Sequence, residues 1–297
     1  MKLDGIITAL VTPFDKSGNV NIDKLQELIE LQIKNGASGV VLLGTTGESP
    51  TVNERERKTI ISAGIEAAAG KLTVIVGVGS NDTARAVEIC KLTAVNGVDA
   101  LLVLTPYYNK TNTEGMIKHF SQIADSARSP VIIYNVPSRT GCSVDIAALG
   151  VLSRHNNIIG IKEASGNISY AAKVSALTDD NFQMLCGNDD IILPMLSLGA
   201  VGAVSVASNI IAAELKEMTE RFKIGQHEAA REIANKYLPF ICALFEEVNP
   251  IPIKEAMNIC GMDVGGVRLP LYKMSGGARK KLVDSMRLCG VCDGCGA

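Results

Sequence analysis

The run Ile158-Ile159-Gly160-Ile161-Lys162-Glu163-Ala164 sets a lysine at the end of an apolar stretch. A short run rich in β-branched side chains predicts a buried strand of a parallel sheet. Lys162 would close that strand half inside a low-dielectric wall. Desolvation there favours the neutral amine, and a neutral amine attacks carbonyl carbon. Taken alone, the segment also fits a lysine that snorkels to solvent.

Other residues become informative when the ends of neighbouring strands are compared. Gly44-Thr45-Thr46-Gly47-Glu48-Ser49 follows an apolar run. Two glycines around two threonines allow a tight turn that presents hydroxyls and backbone N–H groups, a nest suited to a carboxylate, or else an ordinary strand-to-helix turn. Thr105-Pro106-Tyr107-Tyr108-Asn109 offers two phenols at a loop tip, for packing or for proton transfer. Tyr134 ends another apolar run, and Arg139 follows on a Pro-shaped loop where it could grip a carboxylate bidentately or remain a solvated charge. Asp189-Asp190 could suggest a metal, but adjacent aspartates more often cap a helix, and no metal site is expected. The three histidines fall outside these strand ends. A lysine, phenols, threonines and an arginine, without a placed histidine, metal set or nucleotide loop, point to imine chemistry on a keto acid.

The elements that must position these groups form a repeating pattern. Strands are predicted over Ile6–Leu10, Gly39–Leu43, Thr73–Gly77, Ala100–Leu104, Val131–Asn135, Ile158–Lys162, Gln183–Gly187 and Gly202–Val206. Their starts lie roughly 20 to 35 residues apart, room for a strand, a helix and two loops. Helix signals fill the gaps: Asn21 ahead of Leu25, Leu28, Ile29 and Ile33, then Asn53 before Glu54–Ala69, Asn81-Asp82-Thr83 before Ala84–Val95, Thr113 before Glu114–Ala127, and Asp145. Eight β–α units in order predict a (β/α)8 TIM barrel over residues 1–224, with the chemistry at the C-terminal ends of its strands. The rival, an open doubly wound sheet, usually carries G-x-G-x-x-G, which does not occur. Residues 225–297 read as a helical appendage with a disordered tail.

Composition narrows the function classes. Of 297 residues, 47% are hydrophobic and 20% charged, which suits a well-buried globular chain. The net charge of −2 and the lack of a basic run give no reason to expect nucleic acid or an anionic membrane as partner. No span long enough to cross a bilayer and no secretory pattern is seen, so a cytoplasmic location is expected. Cys90, Cys142, Cys186, Cys242 and Cys260 are then expected to be reduced.

Gly44-Thr45-Thr46-Gly47-Glu48, Tyr134-Asn135-Val136-Pro137-x-Arg139-Thr140-Gly141 and Gly160-Ile161-Lys162-Glu163-Ala164 resemble the pyruvate-dependent class I aldolase superfamily, and within it the dihydrodipicolinate synthase family. The resemblance runs in order from Gly5 to about Leu271 and includes Asn249-Pro250-Ile251-Pro252-Ile253-Lys254. It implies a Schiff base between Lys162 and pyruvate, with Tyr134 as proton donor and acceptor. It also implies a relay through Thr45 and Tyr108, the latter supplied across a tight dimer interface. Thr46, Val204 and Gly187 would line the pyruvate site, and Arg139 would hold the carboxylate of L-aspartate 4-semialdehyde. The resemblance further implies a homotetramer, no cofactor, and a place in lysine and diaminopimelate biosynthesis.

Arg139 separates this reading from related lyases of N-acetylneuraminate or keto-deoxy sugar acids, because a second carboxylate needs a cation and a polyol does not. A barrel that merely binds a keto acid would need no nucleophile and relay. Family members sensitive to lysine bind it at a dimer-interface pocket, where this chain keeps Ser49, Asn81 and Tyr107 but carries Glu54, Arg57 and Arg85. Arg85 would repel an ammonium, so weak or absent lysine inhibition is expected. Cys289, Cys292 and Cys295 have the spacing of an iron–sulfur or zinc motif but lack a fourth ligand, and a tail without bound metal is expected.

Overall fold

The computed structural model describes residues 3–93 and 95–291. Eight parallel strands close into a barrel: β1 (Gly5–Ala9), β2 (Gly39–Leu42), β3 (Thr73–Val78), β4 (Ala100–Leu104), β5 (Val131–Asn135), β6 (Ile158–Glu163), β7 (Gln183–Cys186) and β8 (Gly202–Ser205), with β8 paired back onto β1. Each is short and apolar because both its faces are covered, one by the barrel interior and one by helices. Val74, Ile75 and Val76 of β3 are all buried.

The helices are α1 (Ile22–Lys34), α2 (Glu54–Ala68), α3 (Thr83–Thr93), α4 (Thr113–Ser126), α5 (Pro137–Thr140), α6 (Ile146–Leu152), α7 (Ile168–Ser175), α8 (Ile192–Ser197), α9 (Ser208–Lys223), α10 (His227–Ala243), α11 (Ile251–Ile259) and α12 (Gly276–Cys289). Their starts follow capping chemistry. Asn21 accepts from the Lys24 amide ahead of α1, and Asn53 and Glu56 form a reciprocal capping box on α2. α4 is capped by Asn112, one residue before the expected Thr113, because the Asn112 carboxamide reaches the Gly115 amide. Leu25, Leu28 and Ile29 face the barrel from α1 as their spacing demands.

After α9, three helices pack beside the barrel, α10 against α9 and α12. They are keyed to the strand-end side by buried charges. Lys254 on α11 pairs with Glu48 at 2.6 Å, and both side chains are nearly inaccessible. Phe14 lies under two cations, 4.1 Å from Lys254 and 4.3 Å from Arg268. Arg268 donates to the Glu56 carboxylate and to the Gly18 and Thr51 carbonyls. Burial pushes the Lys254 amine down to about 8, against the opposing pull of Glu48.

Cys90, Cys142, Cys186, Cys242 and Cys289 carry free thiols. Cys260 departs from the expected reduced state, being disulfide-bonded. Val291 is buried at 3% exposure, so the packed chain runs past α12 into the first residues expected to be tail. Cys292 and Cys295 lie outside the described residues. No helix among the described residues is long and apolar enough to cross a membrane.

Candidate active site

Lys162 and Tyr134 stand opposite each other in the register of β5 and β6. They are 6% and 8% exposed, and Lys162 Nζ lies 4.3 Å from the Tyr134 ring centroid. Strand alternation sends Lys162 to one face and Glu163 to the other. Glu163 accepts from Asn135 Nδ2 and from the Ser165 amide, each at 2.7 Å. Burial raises its carboxyl above the ordinary range despite these donors. The Glu163–Asn135 bond therefore ties together the two strands that carry Lys162 and Tyr134.

Gly187, just past β7, makes the space through which Lys162 runs. A Cβ there would meet Ala164 Cβ at 2.6 Å, Lys162 Cε at 2.9 Å and the Glu163 carbonyl at 3.0 Å. Val204 is buried on β8 at 2% exposure.

The loop after β2 folds between two left-handed residues, Leu43 (φ 55°) and Glu48 (φ 53°), a conformation that costs energy for side chains of this kind. Inside it the Gly47 and Glu48 amides donate to the Gly44 and Thr45 carbonyls at 3.1 Å. Nothing among the described residues accepts from the Thr45 and Thr46 amides. Thr46 is buried, and its Oγ1 accepts from Asn249 Nδ2 at 3.0 Å.

The segment after β5 is a single helical turn, α5, rather than an open loop. Pro137 occupies its first turn and Gly141 (φ 74°) ends it. Thr105 donates to Thr140 Oγ1 at 2.9 Å, and Thr140 in turn donates to the Cys142 carbonyl at 2.9 Å, fixing the turn against β4. Arg139 is held out at the surface, with Nη2 donating to the Asn249 carbonyl at 3.2 Å.

A cavity of ≈590 Å³ opens at this end of the barrel. Its walls include Thr45, Tyr107, Tyr134, Arg139 and Asn249, together with Ser49, Arg57, Ser80 and Arg85. Lys162 is not on the wall itself but lies over Tyr134, which is. The cavity thus runs from a buried amine and phenol to a rim guanidinium, the layout needed for two carboxylate-bearing reactants.

Not every expected residue joins this cluster. Tyr108, with φ 68°, is 89% exposed and takes no part in the cavity wall. Thr45 and Tyr134 both line the cavity, and among the described residues no hydrogen bond joins their hydroxyls. Ser49 and Tyr107 line the cavity, whereas Asn81 presents its carbonyl to Asn109 Nδ2 at 2.8 Å. Arg57 fills the space beside Ser49, donating to Ser49 Oγ at 2.7 Å and to the Gly77 carbonyl at 3.0 Å. Burial lowers its guanidinium from the ordinary value, and the nearby Arg85 adds to that. Arg85 is paired with Glu54 and Glu88.

Three contributors have partners that no local pattern in the sequence names. Asp189 does not cap its own helix. Buried, it reaches across to the Val206 and Ala207 amides at 2.9 Å each and fixes the turn after β8; burial raises its carboxyl, with Ser205 and Lys162 opposing. Asn249 and Lys254 come from the appendage, 203 and 206 residues from the groups they touch. Among the described residues, no group of three or more His, Cys, Asp or Glu is gathered as a metal site.

The model of the Dihydrodipicolinate synthetase family matches residues 2–288. The chain belongs to that family. A family member from Thermoanaerobacter pseudethanolicus, named 4-hydroxy-tetrahydrodipicolinate synthase, is 46% identical over 268 residues, 90% of each chain. Among solved structures of the family, that of Cyanidioschyzon merolae, described with lysine bound, superposes with a TM-score of 0.94 at 38% identity, covering 97% of this chain and 98% of that one. A dihydrodipicolinate synthase variant described as monomeric matches with a TM-score of 0.94 at 36% identity over 97% of each chain.

Proposed function

We propose that this barrel is a 4-hydroxy-tetrahydrodipicolinate synthase, condensing pyruvate with L-aspartate 4-semialdehyde through an imine on Lys162. One observation carries the assignment of roles: a buried lysine against a strand-end tyrosine, with an arginine on the rim of the same cavity. Lys162 Nζ adds to the keto carbon of pyruvate, and water leaves as the imine forms. The pyruvate carboxylate takes the open Thr45 and Thr46 amides. Tyr134, over the amine, gives and takes the protons of this step. The protonated imine draws electrons from the methyl carbon. Loss of a proton there yields an enamine, which adds to the aldehyde carbon of the second substrate. The amine of that substrate then displaces Lys162 and closes the ring.

Arg139 receives the carboxylate of the aldehyde, because a fork of guanidinium donors fits a carboxylate in two parallel bonds. A sugar-acid substrate offers a polyol there and would leave the arginine unmatched. The relay is completed by Tyr108 of a second copy, which is the use of a fully exposed tyrosine in a left-handed backbone. The exposed Val248, Leu269 and Tyr272 supply apolar surface for such a contact. We take the working form to be a dimer of dimers in the cytoplasm. Inhibition by lysine is weak or absent on this reading, because Arg57 already holds Ser49 and Arg85 is engaged by two carboxylates.

Incubation with pyruvate and borohydride, followed by intact mass and peptide mapping, tests the assignment. A reduced pyruvate adduct on Lys162 is expected. Folded protein without an adduct overturns it.

A further inference from the structure

We infer that Asn249, contributed by the appendage, is a positioning residue that sets the distance between the keto-acid nest and the aldehyde-binding arginine. The inference rests on the synthase reading and adds a residue to it. Asn249 makes one contact to each half of the site: its Nδ2 donates to Thr46 Oγ1 at 3.0 Å, and its carbonyl accepts from Arg139 Nη2 at 3.2 Å. It is 6% exposed and forms part of the wall of the cavity between them.

Two further observations favour a bridge over simple packing. Asn249 Oδ1 is buried without a hydrogen-bond partner, a cost in stability that an apolar residue at this place would avoid. The segment bearing Asn249 is also held rigidly to the same loop. Lys254 is clamped to Glu48, which directly follows Thr46 and Gly47. The Arg268 amide donates to the second oxygen of Glu48 at 2.9 Å. The appendage thus grips the nest at Thr46 and Glu48 and holds Arg139 from the same strand of chain. Bridging of this kind converts two separate binding groups into one template of fixed span, which is what a reaction between two bound substrates requires.

The test is steady-state kinetics of Asn249→Ala with both substrates, together with a cycle of Thr46→Val, Asn249→Ala and the double variant. Alanine removes the Nδ2–Thr46 bond and keeps the backbone carbonyl that holds Arg139; released from Thr46, the segment carries Arg139 with it, so KM for pyruvate is expected to rise about fivefold, with a rise of about the same size in KM for the aldehyde. In the cycle, the double variant is expected to lose no more than the larger single loss, since both changes break one bridge. A purely structural residue would lower the melting temperature and leave both KM values unchanged; that result overturns the inference, as does a change in only one KM or an additive cycle. Asn249→Ser, whose hydroxyl is too short to reach Thr46, gives the same readout should the alanine variant fail to fold. Borohydride trapping of the unaltered protein runs in parallel. A trapped adduct with unaltered KM values in the variant sinks the bridge alone, whereas no adduct in the unaltered protein sinks the synthase reading and the bridge with it.

Discussion

Replacing Gly187 with alanine puts one methyl group where Lys162 passes. The added carbon would lie 2.6 Å from Ala164 Cβ, 2.9 Å from Lys162 Cε and 3.0 Å from the Glu163 carbonyl. Ordinary carbon–carbon contacts are about 3.5–4.0 Å, so Lys162 Cε must retreat by roughly 0.6–1.1 Å. Ala164 and the Glu163 carbonyl yield less readily, because both belong to the end of β6, where the Ala164 amide donates to Asn135 and the Gly187 amide donates to Glu163. Lysine, with its flexible stem, relieves its own contact by retreating, while the 2.6 Å contact with Ala164 Cβ is relieved only by a shift of the backbone at position 187.

Two consequences of different size follow. Overpacking of one methyl in a tight wall costs about 1–3 kcal/mol of stability. A reacting group misplaced by about 1 Å can lose about a hundredfold in rate. Gly187→Ala is therefore expected to remain folded, with a melting temperature a few degrees lower, while pyruvate trapping on Lys162 slows by about two orders of magnitude. The assay is a time course of borohydride-trapped adduct by intact mass at saturating pyruvate, beside a thermal melt. Trapping at the unaltered rate in folded variant would refute the steric argument, and with it the claim that Gly187 shapes the path of Lys162.

Other perturbations separate the remaining contributions. Arg139→Ala is expected to raise KM for the aldehyde about tenfold or more, the size of a charge-assisted bond, with little change in pyruvate trapping; equal losses for both substrates would show that Arg139 acts through the fold instead. A lysine titration of the condensation rate is expected to stay flat through the sub-millimolar range, and clear inhibition there would contradict the blocked pocket around Ser49 and Arg57. The Glu48–Lys254 pair makes a prediction about alkaline stability. With the buried amine titrating near 8 and the unfolded amine near 10.5, the folded chain has released a proton that the unfolded chain still holds. Unfolding then takes up a proton, so rising pH favours the fold between these values, by up to about 3 kcal/mol relative to a Glu48→Gln/Lys254→Met double variant. Chemical denaturation of both proteins across that range checks the sign, and a relative loss of stability with rising pH would be the wrong one.

Much of this molecule is legible in the chain because its chemistry follows local order. The eight strands are largely apolar runs, and their observed ends fall within about a residue of the sequence expectation, since strands covered on both faces are mostly apolar. The strand ends then name Lys162, Tyr134, Thr45 and Thr46 without reference to distant parts of the fold. Local order also explains two small misreadings. Pro137-Ser138-Arg139-Thr140 looks like an irregular loop, yet Pro at the first position and Gly141 at the end suffice for one helical turn. Asn112 and Thr113 are both good caps, and the geometry favours the carboxamide.

What escaped the sequence are bonds whose two ends are far apart in the chain. Asp189 next to Asp190 reads as a helix start, but its buried carboxylate belongs to the turn after β8. Asn249 before Pro250 reads as a turn residue, and no local pattern reports that its side chain meets Thr46 across the barrel mouth. Lys254 sits on an apolar helix face where a lysine is costly unless paired, so its position alone predicts a buried carboxylate partner; the sequence offers many carboxylates and only the closed barrel selects Glu48. The residues that perform the reaction are thus set by strand order, while the residues that hold them at working distance are set by closure of the barrel and the docking of the three helices that follow it. A truncation after α10, which removes Asn249 and Lys254 together, should accordingly leave every strand-end group present in the chain and still disable the site, because Thr46, Glu48 and Arg139 would all lose partners at once.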